Sequence, residues 1–420
     1  MVMKKLIAIS VVFALVAGTA FAEINVGANA ASGVILAKSN GEKGDDEIKA
    51  AVGRHTARIT ASGQNDEGTF GGQVFVFAEL GEEYYNQWWW GNDAFAFVWW
   101  KPIDLVKLQL GHNPWGDIDC KQIVDWGFHA SDAPDVGMHN PYGTGDNSLG
   151  QDTGFYGGFG AFGSLLSLYP VEGLAINFAV PFFDGVGREV YKKFHAQLTY
   201  DISGIGKAAI SYTHDDNVLD ITNKIFTHSN LYASFFLTAI DNMELNIGLA
   251  FPFPVSETTG EGDFEIKTTW SEPLAVGLGF SFNATDALNI KARLATTFAG
   301  NATTVPKKGD TVKVNAPFQL GFNILPSYNL DIVKIFFKAG IMYTGESEDI
   351  NNEGKVEKVK DSSAFGWHIN PYVTKSMGAG TFYAGLVIES DGIKGSAKDS
   401  DNKDKSAVKW SIPLAIVFGF

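Results

Sequence analysis

Residues 408–420 read VKWSIPLAIVFGF and alternate bulky with small side chains to the last position. Trp410, Ile412, Leu414, Ile416, Phe418 and Phe420 share one face of a period-2 pattern. Lys409, Ser411, Pro413, Ala415, Val417 and Gly419 share the other. Such alternation predicts a β-strand with one apolar side. A soluble core could receive that side as well as a lipid bilayer could, so the rest of the chain must decide.

The opposite end, MVMKKLIAISVVFALVAGTAFA (1–22), carries Lys4 and Lys5, an apolar run and Ala20-Phe21-Ala22. That is the layout of a secretory signal peptide, with an apolar part too short for a spanning helix. Removing Lys4 and Lys5 from 32 basic side chains leaves 30 against 47 acidic ones, a net charge of −17 for residues 23–420. Bulk charge of this sign argues against nucleic acid as a partner. With Cys120 the only cysteine, no intramolecular disulfide can form. The 47 glycines and 32 phenylalanines, a mean hydropathy of zero, and the absence of any long apolar run beyond the leader point to spanning strands rather than spanning helices.

A transmembrane barrel requires alternating segments joined by connections that are short, then long, in turn. The chain meets this demand along nearly its whole length. Short links such as KPID (101–104), YPVEG (169–173), DN (241–242), ATDA (284–287) and PSYN (326–329) alternate with longer ones. The longer ones include 81–92, 112–152, 255–272, 300–311, 345–362 and 391–406. The count is 18 strands, with 16 as the other reading because the first pair is rich in Ala and Gly. The predicted fold is an all-β, antiparallel transmembrane barrel formed by one domain over 23–420. The last strand should close the cylinder against INVGANAAS (24–32). Aromatic clusters at Trp88–Trp90 and Trp99–Trp100 are expected to mark the two membrane interfaces.

Face by face, polar and apolar residues separate. Arg54 and Arg58 alternate with Ala57 and Ile59; Lys193 and Gln197 with Phe194 and Leu198. Lys291 and Arg293 alternate with Ile290 and Leu294, and Lys334 and Lys338 with Ile335 and Phe337. A sheet with polar residues inside and apolar ones outside is what lipid outside and water inside require.

The leader, the hairpin AFAFVWWKPIDLVKLQLGH (94–112) and the terminal AIVFGF together resemble the outer-membrane porins of diderm bacteria. That resemblance implies a water-filled channel for passive diffusion of small hydrophilic solutes or ions, with no cofactor and no enzymatic activity. It implies outer-membrane lipid and the barrel-assembly machinery as partners, the latter reading Ile412, Leu414, Ile416, Phe418 and Phe420. It suggests a homotrimer, although some 18-stranded relatives are monomers. A barrel that merely anchors charged loops for surface display or adhesion fits the same pattern. Pro413 is irregular in such a strand, because it removes a ladder donor.

The resemblance also implies that a long loop after an early strand folds into the bore. Here that loop is 112–152, with Asp117, Asp119, Asp125, Asp132 and Asp135. The facing wall would carry Arg54, Arg58, Lys107, Lys193, Lys291, Arg293, Lys334 and Lys338. Acids opposite bases would set a transverse field across the bore and tune charge selectivity. An outward, solvated loop is the other reading. His112, His129 and His139 match no metal-ligand spacing, and no metal is expected. Cys120 has no partners arranged for nucleophilic work, and the glycines of 154–163 do not form a phosphate cradle.

Overall fold

The alternating segments become strands. The computed structural model describes residues 23–39, 49–80, 95–112, 162–181, 193–215, 230–259, 266–271, 274–306, 310–350, 355–359, 363–390 and 408–419. The leader, Trp88–Trp90, Cys120, residues 113–152 of the long connection and Phe420 lie outside these residues.

The first strands are β1 (Glu23–Ser39), β2 (Lys49–Gln64), β3 (Phe70–Leu80), β4 (Phe95–Ile103) and β5 (Val106–His112). Next come β6 (Phe162–Val171), β7 (Leu174–Pro181), β8 (Lys193–Ile202), β9 (Gly206–Asp215), β10 (Asn230–Ile240) and β11 (Met243–Pro252). β12 (Val255–Thr259), β13 (Ile266–Ser271), β14 (Leu274–Asn283), β15 (Leu288–Phe298), β16 (Asn301–Pro306) and β17 (Val312–Asn315) follow. The last are β18 (Gln319–Leu330), β19 (Val333–Thr344), β20 (Glu348–Ile350), β21 (Val356–Lys358), β22 (Ala364–Met377), β23 (Gly380–Gly385), β24 (Val387–Ser390) and β25 (Val408–Gly419).

Nineteen of these segments form one antiparallel sheet that closes on itself through β1 and β25. β23 and β24 are halves of a single stave, since both lie between β22 and β25. The cylinder therefore has 18 staves, the larger of the two counts. Closure leaves no sheet edge, which is what lets strands cross lipid without exposing unpaired backbone groups.

The seam differs from expectation in register. β25 pairs with β1 from Asn29↔Gly419 to Ser39↔Trp410, so only 29–32 of the expected 24–32 segment take part. Glu23–Ala28 bond to β2 and extend beyond the end of β25. Tilted staves demand such a stagger, and period-2 patterning alone does not reveal its size. Pro413 has a physical setting in this seam. It is paired with Ile35 at the point where β1 changes register, between Ile35 and Lys38. On its other side the facing stave is interrupted between Gly385 and Val387. The missing N–H thus falls where the ladder is already broken on both flanks.

Outside the cylinder, apolar side chains are exposed stave after stave, including Ile59, Phe178, Leu198, Ile210, Ile247, Leu278, Ile335 and Phe337. Ile412 and Phe418 lie on this outer face, with Leu414 and Ile416 of the same parity between them, while Ser411, Pro413 and Ala415 are buried on the other. Exposed aromatic rings stand near the turns at Trp100, Tyr200 and Tyr328, and near the long connections at Phe251, Phe298, Tyr343 and Phe365. Tyr328 is level with Ile335. From there to Tyr343 a tilted strand climbs roughly 20 Å, close to the height of an apolar belt. Trp99 corrects the expected girdle: it is paired with Gln109 on the inner face, and only Trp100 (53% exposed) points outward. Consecutive residues of a strand cannot share a face.

Three connections that the sequence marks as loops are themselves folded. β12, β13, β16 and β17 form a separate four-stranded sheet from the 255–272 and 300–311 segments and the residues that follow the latter as far as Asn315, and β20 with β21 makes a hairpin within 345–362. Glu348 ties the two together by accepting hydrogen bonds from the Asn315 backbone (2.7 Å) and side chain (2.9 Å).

Ile210 (52% exposed) lies midway along an outer face. Replacing it by Arg should cost about 2–4 kcal/mol of stability in lipid vesicles, read from denaturant midpoints, whereas Arg293→Lys on the inner face should change stability little.

Candidate functional site

The inner wall is built by the positions that alternate with this apolar belt. Register aligns them in rows across the staves. One row runs Lys107↔Ser167↔Asn177↔Gln197↔Ser211↔Tyr232 from β5 to β10. Its middle is stitched by side-chain hydrogen bonds: Asn177 Nδ2 donates to Gln197 Oε1 (3.2 Å), and Gln197 Nε2 donates to Ser211 Oγ (3.2 Å). Beside it Tyr232 packs with Ala209, Ala250 and Ala275, so the wall is apolar where small residues leave room for a ring.

Toward the short turns this row meets acidic side chains. Asp104, Glu172 and Asp201 line a cavity of about 440 Å³ together with Lys107 and Lys207. Asp201 and Lys207 approach to 3.9 Å. Lys101 bonds to Asp104 at 2.7 Å, and that bond and its charge hold the Asp104 carboxyl below the usual range.

A second, basic sector covers β15 to β22. Lys291 and Arg293 are exposed on the inner face of β15. Lys338, 1% exposed, is paired with Asn370, which is fully buried with neither amide atom bonded among the described residues. Arg293, Asn323, Gly340 and His368 occupy one row. Gly340 is required there, since a Cβ would meet Asn323 Oδ1 and sit 2.6 Å from the His368 ring. Lys334 lies 4.9 Å from the Phe336 ring, itself stacked on Tyr372 at 4.5 Å.

The basic residues named from sequence therefore divide. Lys291 and Arg293 on β15 and Lys334 and Lys338 on β19 share one sector of the wall, with β18 between them. Lys107 stands apart on β5, its Nζ 5.2 Å from the Trp99 ring. Arg54 and Arg58 take inner-parity positions in β2, and Lys193 opens β8; their side chains lie outside the described residues. So do Asp117, Asp119, Asp125, Asp132 and Asp135. Sequence reading missed the acids that border the turns and the amide row. Their signal was inner parity, which Asn177, Gln197, Asp201 and Glu244 share with the lysines. Among the described residues no group of His, Cys, Asp and Glu could hold a metal ion.

No family model and no curated protein matches the chain. Solved structures do. OpdL of Pseudomonas aeruginosa aligns over 95% of this chain and 99% of its own, with 9% identity and a TM-score of 0.52. OccK11 of the same organism aligns over 94% and 96%, with 8% identity and a TM-score of 0.50. The shared feature is the fold, that of the outer-membrane β-barrel porins.

Lys291 and Arg293 are the exposed charges of the basic sector. Lys291→Glu with Arg293→Glu should shift the zero-current potential in a salt gradient toward cations, and Lys291→Gln should move it by a smaller step in the same direction.

Proposed function

We propose that this chain is an outer-membrane porin, a water-filled channel through which small hydrophilic solutes or ions diffuse down their gradients. The carrying observation is one closed cylinder of 18 staves with an apolar belt outside and charged, hydrogen-bonding side chains inside. A cylinder of this size has a bore wider than its own side chains need. The exposed Lys291 and Arg293 on the inner wall agree with water there.

On this reading residues 1–22 direct export, 23–420 form the barrel domain, and loop 112–152 folds inward with its aspartates opposite the basic sector. Outer-membrane lipid meets the belt, the assembly machinery reads the last strand, and the assembled form is a homotrimer. The protein has no catalytic role. A second reading is favoured by one observation, the folded sheet and hairpin beyond the barrel. Ordered strands outside the membrane would suit a surface that is recognised, with the barrel as anchor.

Planar-bilayer recording separates the two. The purified protein should give stable stepwise conductance that persists when β20–β21 is deleted. A protein that inserts and conducts nothing is an anchor. Phe420→Ala, or deletion of Phe420, should lower the folded, heat-modifiable fraction in outer membranes several-fold while leaving the conductance of each assembled channel unchanged.

A further inference from the structure

The cavity bordered by Asp104, Glu172 and Asp201 has a floor of uncharged polar groups. Gln109 (1% exposed), Ser167, Asn177 (7%), Gln197 (2%) and Thr199 line it, with Tyr169 at its edge. Its volume of about 440 Å³ falls in the range of small-molecule sites.

The hydrogen bonds fix what the floor can still do. Asn177 spends one N–H on Gln197, and Gln197 spends its oxygen on Asn177 and one N–H on Ser211. That leaves the Asn177 carbonyl and its second N–H, the second N–H of Gln197, and the hydroxyls of Ser167 and Thr199. These are donors and acceptors in mixed array. Such an array matches groups that both donate and accept, above all hydroxyls. The charges around it are largely committed: Asp201 lies by Lys207, Asp104 bonds Lys101, and the Lys107 ammonium lies by the Trp99 ring. The lining mixes three carboxylates with two ammoniums, so an ionic solute of either sign meets like charge there as well as opposite charge. Tyr169, 36% exposed, offers a ring for the apolar face of a sugar.

We propose that this cavity is a binding subsite for a neutral polyhydroxylated solute of mono- or disaccharide size, held by the Asn177 and Gln197 amides, which Ser211 braces from behind, and by the Ser167 and Thr199 hydroxyls. The proposal rests on the channel reading above and adds solute class and place. Binding at such a subsite makes flux saturable, where diffusion alone is linear in concentration.

The test uses the full-length barrel in planar bilayers, with maltose, glucose, glutamate and lysine as separate probes. Maltose or glucose should reduce ion current in a saturating manner, and glutamate and lysine should not. Asn177→Ala with Gln197→Ala should raise the half-saturating sugar concentration about tenfold or more. Thr199→Val removes one hydroxyl without changing side-chain shape and should raise it about fivefold; it carries the test if the double variant does not insert. Leu198→Ile, on the outer face, should leave saturation unchanged. A conducting channel whose current ignores both sugars, or saturates with glutamate or lysine instead, overturns the subsite and leaves the channel reading standing. A barrel with no conductance at all overturns both.

Discussion

Every backbone N–H and C=O in a membrane-crossing strand must find a partner within the protein, because hydrocarbon supplies none. The 18-stave closure of β25 on β1 answers that constraint, and the rest of the molecule follows from it. Closure forces a tilt, the tilt forces a stagger at the seam, and the stagger leaves Glu23–Ala28 paired, among the described residues, with β2 alone. It also explains where proline is tolerated. Pro413 sits between a register shift in β1 and the break at Leu386, whose N–H donates instead to the Pro371 carbonyl at 2.9 Å. A ladder that must be complete keeps its gaps together at one level.

The same constraint makes one pattern serve two solvents. Since successive side chains point to opposite faces, each stave that shows Ile210 or Leu198 to lipid shows Ser211 or Gln197 to the bore. A polar group on the inner face then pairs with its counterpart one stave away, and register decides which groups meet. Asn177 reaches Gln197 because they are cross-strand partners, although 20 residues separate them in sequence. The inner wall is thus a map written by register.

This divides what the chain discloses before folding from what it does not. Strand positions, faces, short turns and the even count of 18 were legible, because each depends on residues close together in sequence. The inner parity of Lys291, Arg293, Lys334 and Lys338 was legible for the same reason. Trp99 and Trp100 were misread as one girdle when spacing was weighed above parity. The partner segment of β25 was misplaced by several residues, since stagger is a property of the whole cylinder. The outer sheet was hidden because Thr- and Lys-rich segments such as IKTTWS (266–271) and NATTVP (301–306) lack an apolar face for lipid. The amide row was invisible until register aligned Ser167, Asn177, Gln197 and Ser211 across four staves.

The inner wall carries charge of its own. Both signs are present within the staves and the turns that join them. Asp104, Glu172 and Asp201 border the short turns on the β5–β9 side, and Lys291, Arg293, Lys334 and Lys338 occupy β15–β19. Lys291 is level with Glu244 through Ser281, two staves away. At such separations attraction between lumen-exposed charges is modest in water and screened within about 8–10 Å at physiological salt. The two sectors therefore act as neighbours with separate fields more than as one bonded network. The buried members differ from the exposed ones: Lys338 and His368 are held under neighbouring groups, while Lys291 and Arg293 are exposed on the inner face. Exposure, more than the number of bases, then decides which of these residues solvent can reach.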